Sequence, residues 1–322
     1  MFLNFFKSLK NYIKFLNLPK NEKPIIFYSE NKFYRYHFID LIENFKILTN
    51  KKIIFITSDK DDYVFFKDKY DSYFISNIFI LNEFFKKLNC EFLIMTLTDL
   101  GSHLPKSPNC KKYIYFFHAM ASTNKVYTKN AFNSYDIILT TGNYQKLEIQ
   151  EVEKLLNLNR KEIINTGYFY LDRIKKEANL KITKRDNILF APSWNYKTKN
   201  LFDDYSIDII SNLIDKGFNV TLRPHPEHYK RSKKTIDRII KLFGNNNKFE
   251  FDYDISNLKS MEKAELIITD NSTIVFEYYL IFKRPLIYLE YSDKVHNSFY
   301  ENIRILPIEE IFKKRFGKTV TI

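Results

Sequence analysis

The sequence predicts an α/β protein built from parallel strands that helices cover on both faces. Short, largely apolar runs such as Lys52–Thr57 and Leu266–Thr269 are typical of strands buried on both sides. Segments with a helical spacing of apolar residues lie between such runs, among them Phe38–Leu48 and Ser232–Phe243. Strands that alternate with helices in this way indicate doubly wound parallel sheets.

The chain is long enough for two such domains. Its 322 residues exceed what one small core accommodates, and the alternation lapses into charged residues around Lys175–Asp186 before it restarts. We interpret the lapse as a linker and expect Rossmann-like domains at residues 1–178 and 187–322, with their parallel sheets facing a central cleft. The last helical pattern, Ile308–Phe316, is a candidate for packing back on the first domain.

Each element follows from its own local pattern. The predicted strands are Pro24–Tyr28, Lys52–Thr57, Phe92–Thr96, Tyr113–Phe117, Tyr135–Thr140, Glu162–Asn165, Asn187–Ala191, Phe218–Leu222, Lys248–Phe251, Leu266–Thr269 and Leu286–Leu289. The predicted helices are Phe38–Leu48, Phe79–Leu88, Tyr205–Lys216, Ser232–Phe243 and Ile308–Phe316. Gly217 and Gly244 directly follow two of these helices, and glycine commonly ends a helix.

The charge of the chain favours anionic partners. Lysine and arginine number 51 against 38 aspartate and glutamate residues, which gives a net charge of +13. Basic residues clustered with interleaved aromatics on one element, as in nucleic-acid binders, are not evident, so we expect no nucleic-acid partner. A non-catalytic basic binder of anionic polymers remains open as an alternative class.

The two cysteines give no reason to expect a disulfide scaffold or a zinc site. Cys90 and Cys110 form no Cys-x-x-Cys motif and have no histidine at metal-ligand spacing. We therefore expect no metal and no cofactor. No apolar run approaches the roughly 18 residues of a membrane-spanning helix, and the start of the chain lacks the pattern of a signal peptide, so we expect a cytoplasmic protein.

Residues 1–18 predict an amphipathic basic helix. Lysines alternate there with apolar residues at helical spacing, which are Phe2, Phe5, Phe6, Leu9, Ile13 and Leu16. The pattern fits an anionic membrane surface and a docking position on the helix's own domain equally well, and both alternatives stay open. In the first case the protein would be peripheral at the inner face of the cytoplasmic membrane.

The stretch Ala264–Glu290 predicts a strand, a polar turn and a new helix. Asn271, Ser272 and Thr273 form the turn, and the N–H groups of a helix start suit a phosphate or diphosphate. Glu277 lies one turn into the helix, where a carboxylate can accept hydrogen bonds from a ribose diol. The alternative is that Ser272 only caps a structural helix.

A second polar segment follows the predicted strand Phe218–Leu222. Arg223 and His225 come directly after it, among prolines that neither extend a sheet nor start a helix interior. Open α/β sheets bind ligands at the carboxyl ends of their strands, so both side chains are placed to contact phosphate oxygens. We expect His228 to be a solvated neighbour.

His118 ends the apolar strand Tyr113–Phe117 in the first half. Unperturbed histidine titrates near neutral pH, so this ring can take a proton from an attacking hydroxyl. The alternative is a histidine that only hydrogen-bonds a neighbouring loop. In the second half, Ser193 and Trp194 follow the strand Asn187–Ala191 in a loop expected to line the cleft.

Taken in order, these segments resemble the CDP-glycerol glycerophosphotransferase family, bacterial enzymes of teichoic-acid and capsular polymer synthesis with the GT-B fold. The resemblance runs from about Tyr113 to Glu290. The matching residues are His118; Gly167, Tyr168 and Asp172; Phe190-Ala191-Pro192-Ser193-Trp194; Arg223-Pro224-His225-Pro226; Asp270-Asn271-Ser272-Thr273; Glu277; and Lys283-Arg284-Pro285. Ala119-Met120-Ala121 stand where the family has Gly-Thr-Pro, and Phe169 stands where it has proline.

The resemblance implies a transferase that moves glycerol phosphate, or a related polyol phosphate, from a CDP-activated donor to a hydroxyl of a cell-surface glycan or polymer and releases CMP. It implies that His118 is the base at the acceptor hydroxyl and that His225, Ser272 and Thr273 hold the donor diphosphate. Arg223 joins this set from its position and charge alone. A nucleotide-sugar glycosyltransferase of the same fold is the alternative, because its diphosphate and ribose contacts would be alike.

Overall fold

The computed structural model describes residues 2–19, 22–98, 100–181, 186–195 and 199–322. The chain forms two compact units. The first comprises Met1–Ala119 and Tyr127–Tyr170, and the second comprises Met120–Val126 and Leu171–Ile322. A short segment from the first half of the sequence therefore belongs to the second unit. Residues 182–185 of the predicted linker lie outside the described residues.

The strands and helices alternate along the chain. The strands are β1 (Ile25–Ser29), β2 (Ile53–Thr57), β3 (Asp71–Phe74), β4 (Cys90–Met95), β5 (Cys110–Phe116), β6 (Ile137–Thr140), β7 (Glu162–Asn165), β8 (Asn187–Phe190), β9 (Asn219–Leu222), β10 (Phe249–Phe251), β11 (Ala264–Thr269), β12 (Leu286–Glu290) and β13 (Gly317–Thr321). The helices are α1 (Phe2–Leu16), α2 (Arg35–Thr49), α3 (Lys60–Phe66), α4 (Ile78–Lys87), α5 (Thr123–Val126), α6 (Asn143–Leu155), α7 (Phe169–Glu177), α8 (Leu201–Asp215), α9 (Pro226–Arg231), α10 (Lys233–Phe243), α11 (Leu258–Lys263), α12 (Ile274–Phe282) and α13 (Ile308–Phe316).

The first unit contains a seven-stranded parallel sheet in the order β3-β2-β1-β4-β5-β6-β7. Strands β1 and β2 are buried along their whole length, because helices and their apolar side chains cover both faces. The strand order reverses direction between β1 and β4. Such a switch point opens a crevice beyond the carboxyl ends of the two strands, where ligands bind in this class of fold.

The second unit contains a six-stranded parallel sheet in the order β10-β9-β8-β11-β12-β13. Its switch point lies between β8 and β11. The segments that follow β8, β9 and β11 therefore emerge side by side at one edge of the sheet. These are the segments that carry the residues proposed from the sequence for donor binding.

Helix α1 packs on its own unit through Ser8, Tyr12 and Phe15. Phe15 is 2% exposed and contacts the rings of Tyr73 and Phe84, while the Ser8 hydroxyl accepts hydrogen bonds from the backbone before α4. This face lies beside the predicted apolar stripe rather than on it. Met1 and the side chains of Phe2 and Leu3 lie outside the described residues, and no described helix is long and apolar enough to cross a membrane.

Candidate functional site

His118 lies just beyond the carboxyl end of β5, beside the switch point of the first sheet. Its Nδ1 atom is 2.5 Å from the hydroxyl oxygen of Thr96, the residue that directly follows β4. The Tyr168 hydroxyl donates to the backbone carbonyl of His118 over 2.9 Å, and the Tyr34 ring lies 4.7 Å from the imidazole. Thr96 and Tyr34 therefore contact the His118 ring, and Tyr168 fixes its backbone.

His37 is a second histidine at this place that the sequence prediction missed. It lies in the first turns of α2, and its ring centre is 6.1 Å from that of His118. Its ring also packs on Tyr168 and Tyr170. Burial, and to a smaller extent the charge of a protonated His118, lowers the pKa of His37 to about 3, so His37 is neutral at physiological pH. A polar residue in a helical pattern gives no sequence signal for this proximity.

Asp270 joins the loops after β8 and β11 in the second unit. Its carboxylate accepts one hydrogen bond from the Ser193 backbone N–H at 2.7 Å and another from the Ser193 hydroxyl at 2.9 Å. Both residues are buried, Ser193 to 2% exposure and Asp270 to 4%. Ser193 therefore stabilises the loop, because its hydroxyl donates a hydrogen bond to Asp270 rather than to solvent.

The expectation that His228 is solvated is wrong. His228 is fully buried in α9, and its Nε2 atom donates to the Ser193 carbonyl at 3.1 Å. Its ring packs against Phe202 at 4.2 Å and against Trp194 at 5.0 Å, in an edge-to-face arrangement with the indole. His228 therefore connects the segments that follow β8 and β9, and the Trp194 indole packs against its ring.

The structure places the Arg223 guanidinium against the loop after β10. Its Nη1 atom lies 2.5 Å from the Asp252 carboxylate, and its Nη2 atom donates to the Ile255 carbonyl at 3.0 Å. Its Nη1 atom also donates to the Ser256 carbonyl. Arg223 thus fixes the loop beside His225, and these contacts use the nitrogens that the sequence prediction assigned to phosphate.

His225 is the N-cap residue of α9. Its Nδ1 atom accepts a hydrogen bond from the Glu227 N–H at 3.2 Å, in extended backbone geometry with proline at the next position. In the neutral ring one nitrogen accepts and the other carries the proton. His225 therefore carries its proton on Nε2, where the ring is a hydrogen-bond donor.

The start of α12 has no side-chain cap. The N-cap residue is Thr273, so the alternative in which Ser272 only caps a structural helix is wrong. The N–H of Ser272 lies 3.4 Å from the Thr269 hydroxyl, and Asn271 donates its side-chain amide to the Ser292 carbonyl. Within the described residues the hydroxyls of Ser272 and Thr273 make no hydrogen bond, so both remain available at a helix N-terminus.

Glu277 lies in the first turn of α12 and is 7% exposed. One of its carboxylate oxygens accepts a hydrogen bond from the Asn257 amide at 2.6 Å. A carboxylate buried at this depth needs such donors, because an ionised group without them is costly to bury. Asn257 is a partner that the sequence prediction did not include.

The loop after β12 supplies a further cation that the prediction missed. Lys294 is half-buried, and its ammonium group interacts electrostatically with the carboxylates of Asp270 and Glu309. Burial lowers the pKa of Lys294, and the two carboxylates oppose that shift. The same loop accepts a hydrogen bond from Asn195 in the segment after β8, which places it at the switch point of the second sheet.

The loop after β10 carries a pair of aspartates with the spacing of a metal-binding motif. Asp252 and Asp254 form an Asp-x-Asp pair directly after β10, and the sequence-based prediction of no metal overlooked this pair. The Asp252 carboxylate accepts from Arg223 and from the Ser260 hydroxyl, and Lys259 lies 3.8 Å from Asp254. Among the described residues no group of three or more His, Cys, Asp or Glu side chains is placed to hold a metal ion. The expectation of no cofactor stays a prediction.

The comparisons with known proteins agree with this architecture. Among solved structures, the chain is similar to the UDP-GlcNAc 2-epimerase of Methanocaldococcus jannaschii in complex with UDP-GlcNAc and UDP, at 15% identity and a TM-score of 0.61 over 93% of this chain and 89% of that one. The UDP-GlcNAc 2-epimerase of Neisseria meningitidis bound to UDP-GlcNAc is 12% identical, with a TM-score of 0.59 over 89% and 90% of the two chains. These similarities show the fold and confirm the predicted GT-B-like α/β class.

Another solved structure is that of the wall teichoic acid polymerase TagF, which is 16% identical with a TM-score of 0.49 over 89% of this chain and 79% of that one. No curated protein sequence matches the chain significantly. The model of one family, described as CDP-glycerol:poly(glycerophosphate) glycerophosphotransferase, matches residues 12–306. Because this match spans most of the sequence, the chain belongs to the CDP-glycerol:poly(glycerophosphate) glycerophosphotransferase family and is a transferase of that type.

Proposed function

We propose that the second unit binds CDP-glycerol, or a closely related CDP-polyol, and that the chain transfers its glycerol phosphate to a hydroxyl of a surface polymer. The observation that carries this proposal is the start of α12, where two unbonded hydroxyls and uncapped N–H groups lie together at the switch point. The partial positive charge of a helix N-terminus favours a diphosphate there. His225 lies in the segment after β9, which is two strands from β11 in the sheet. Its Nε2–H is a further hydrogen-bond donor in this proposal.

In the proposed reaction the acceptor oxygen attacks the β-phosphorus of the donor. A new phosphorus–oxygen bond forms, and the bond from the β-phosphorus to the bridging oxygen breaks, so that CMP leaves with that oxygen. The acceptor's proton goes to His118. Negative charge increases on the phosphate oxygens as the bonds exchange, and donors already positioned for them stabilise the transition state most.

The remaining candidates have supporting roles in this proposal. Ser193, Asn271 and Arg223 hold the loops through hydrogen bonds to Asp270, to the Ser292 carbonyl and to Asp252. Glu277, which also accepts a hydrogen bond from Asn257, is the acceptor for the hydroxyls of the ribose diol. Trp194 is half-buried and provides an aromatic surface at the same edge.

The test is a comparison of donors with the purified chain. We expect CMP release from CDP-glycerol in the presence of a poly(glycerol phosphate) acceptor, measured by chromatography of the nucleotides, and incorporation of labelled glycerol into the polymer. UDP-GlcNAc and other nucleotide sugars serve as matched controls. Turnover with a nucleotide sugar and none with CDP-glycerol would show the glycosyltransferase alternative to be correct.

We further propose that the protein works at the inner face of an anionic membrane through α1. The side chains of Phe6, Ile13 and Leu16 are 63%, 49% and 41% exposed, and Lys10 on the same helix is exposed beside them. Apolar burial in the headgroup region and attraction of lysine to anionic lipid add together on such a surface. The docked face of α1 is separate, so lipid contact leaves the packing of Phe15 intact.

Replacing Phe6 and Ile13 together by glutamate is expected to reduce sedimentation with phosphatidylglycerol vesicles by at least about tenfold, because burial of each apolar side chain contributes roughly 1.5–3 kcal/mol. Point variants are preferable to deletion of α1, which would uncover buried aromatic rings. The matched control replaces Ile47 and Leu48, which are 77% and 82% exposed on α2, by glutamate. Equal sedimentation of both variants would contradict a lipid contact at α1.

A further inference from the structure

We propose that Cys90 and Cys110 form a reversible oxidation site, in which a low-molecular-weight disulfide such as oxidised glutathione converts the two thiols into an intramolecular disulfide. The site lies at the amino ends of β4 and β5. It is therefore separate from His118, which follows the carboxyl end of β5, and the inference does not depend on the proposed transfer reaction.

The backbone brings the two cysteines to the spacing that a disulfide needs. Cys90 is the first residue of β4 and Cys110 is the first residue of β5, and the two are paired in the register of these neighbouring parallel strands. The Cα atoms of residues paired in this way are roughly 5 Å apart, which lies within the range that disulfides span. The sheet itself therefore sets the distance between the two residues.

The two thiols lie on the same face of the sheet. Both cysteines are free and buried in one apolar cluster, and their sulfur atoms are 3.3 Å apart, with the S–H of Cys90 donating to the sulfur of Cys110. Formation of a disulfide requires the sulfurs to approach from this contact to the roughly 2 Å of a covalent bond. The side chains are thus already directed toward each other.

The contact between the sulfurs also supplies the reactive form of the pair. The hydrogen bond from Cys90, which burial opposes, lowers the pKa of the Cys110 thiol. Because the two sulfurs share one proton, the loss of a single proton from the pair yields a thiolate. The thiolate is the form of cysteine that attacks a disulfide.

A cavity gives small molecules access to Cys90. It has a volume of about 570 Å³ and lies at the amino edge of the first sheet, where Cys90 is part of its lining. Lys51 and Lys111 also line the cavity and are exposed, so the cavity opens to solvent. Four lysines and one glutamate line it, which favours an anionic molecule such as oxidised glutathione. Cys90 is therefore the sulfur that the oxidant reaches first.

The reaction consists of two exchanges. The Cys90 thiolate attacks one sulfur of the small disulfide, the bond between its sulfurs breaks, and one small thiolate leaves from a mixed disulfide on Cys90. The Cys110 thiolate then attacks the sulfur of Cys90, and the second small thiolate leaves. The two protein thiols are oxidised, the small disulfide is reduced to two thiols, and the protons of the cysteines pass to the leaving groups.

The direct test treats the reduced wild-type chain with oxidised glutathione under native conditions. After the remaining free thiols have been alkylated, mass spectrometry of proteolytic peptides should show the Cys90 peptide joined to the Cys110 peptide. Dithiothreitol should then return both thiols. If both thiols stayed free in the folded chain, or if disulfides formed only between chains, the proposal would be overturned. Circular dichroism checks that the chain remains folded during the reaction.

Single variants test the route of the oxidant. Cys110→Ala removes the second sulfur and leaves Cys90 at the cavity, so we expect Cys90 to accumulate as a mixed disulfide with glutathione because no neighbouring thiolate displaces it. The matched control is Cys90→Val, whose side chain fills the space of the thiol, and its Cys110 should stay unmodified. A mixed disulfide on Cys110 and none on Cys90 would contradict entry of the oxidant through the cavity.

Thermal unfolding tests whether the folded sheet already has the geometry of the disulfide. The oxidised wild type should unfold roughly 5 °C above the reduced wild type, because the bond joins residues 20 positions apart and restricts the unfolded chain. A lower midpoint in the oxidised chain would show that the bond strains β4 and β5, and the two thiols would then not be positioned for it. The measurements on the wild type need neither a variant nor transferase activity for their conclusion.

Discussion

Replacing His118 by glutamine is expected to lower kcat for glycerol-phosphate transfer by roughly 10²- to 10⁴-fold, the usual contribution of a general base. Glutamine retains a hydrogen-bonding side chain of similar reach beside Thr96, but it has no nitrogen that takes up a proton at neutral pH. The proposed donor site lies in the other unit, so KM for CDP-glycerol and the affinity for CDP should change little. Steady-state kinetics and calorimetric titration with CDP measure the two parts separately.

A matched control exists for this variant. His103 is exposed on the surface of the same unit, so His103→Gln should keep the wild-type kcat. If His118→Gln lowered kcat less than fivefold, His118 would not be the base. If it weakened CDP binding as strongly as it lowered kcat, its role would lie in donor binding instead.

The regular elements of the fold were predictable because apolar runs and glycine ends are local signals. Every predicted strand and helix is present, and Glu162–Asn165 and Ile308–Phe316 have the predicted ends. The two strands that the prediction missed explain its limits. β3 begins with the polar residues Asp71 and Ser72, and β13 is an edge strand with exposed residues, so neither shows a continuous apolar run.

The candidate site was predictable only where a residue's position along the chain determines its place in the sheet. Ser272 and His225 follow strands and therefore lie at the carboxyl edge. The sequence could not show that Arg223 is engaged by Asp252, because that contact joins segments that come together only through the order of the strands. His37 was missed for the same reason, since it approaches His118 across the first sheet's switch point from a different segment.

His228 shows how a local pattern can mislead. A histidine among charged residues of a short helix reads as solvated, yet its ring fills the space between Phe202 and Trp194 and its Nε2 atom satisfies the Ser193 carbonyl. The burial follows from which face of α9 meets α8 and the loop after β8, and a six-residue helix has too few turns to reveal that face from its sequence.

Replacing His225 by alanine is expected to lower kcat/KM for CDP-glycerol by roughly 10²- to 10³-fold, the usual effect of losing one donor to a developing oxyanion. The same change removes the N-cap of α9, which costs about 0.5–2 kcal/mol of stability. His225→Asn separates the two effects, because asparagine is a good N-cap and its oxygen can replace Nδ1 as the acceptor for the Glu227 N–H. We therefore expect His225→Asn to regain the urea midpoint of the wild type.

Asparagine is shorter than histidine and does not extend a donor to the position of Nε2. His225→Asn should for this reason stay at least about tenfold below the wild type in kcat/KM, even though its stability is restored. Wild-type kinetics in His225→Asn would show that His225 serves α9 alone, and the donor diphosphate would then depend on the hydroxyls of Ser272 and Thr273 and on the N–H groups of α12. A parallel loss of kcat/KM in Ser272→Ala would support the same site from its other side, because that hydroxyl has no partner in the described structure that its removal would disturb.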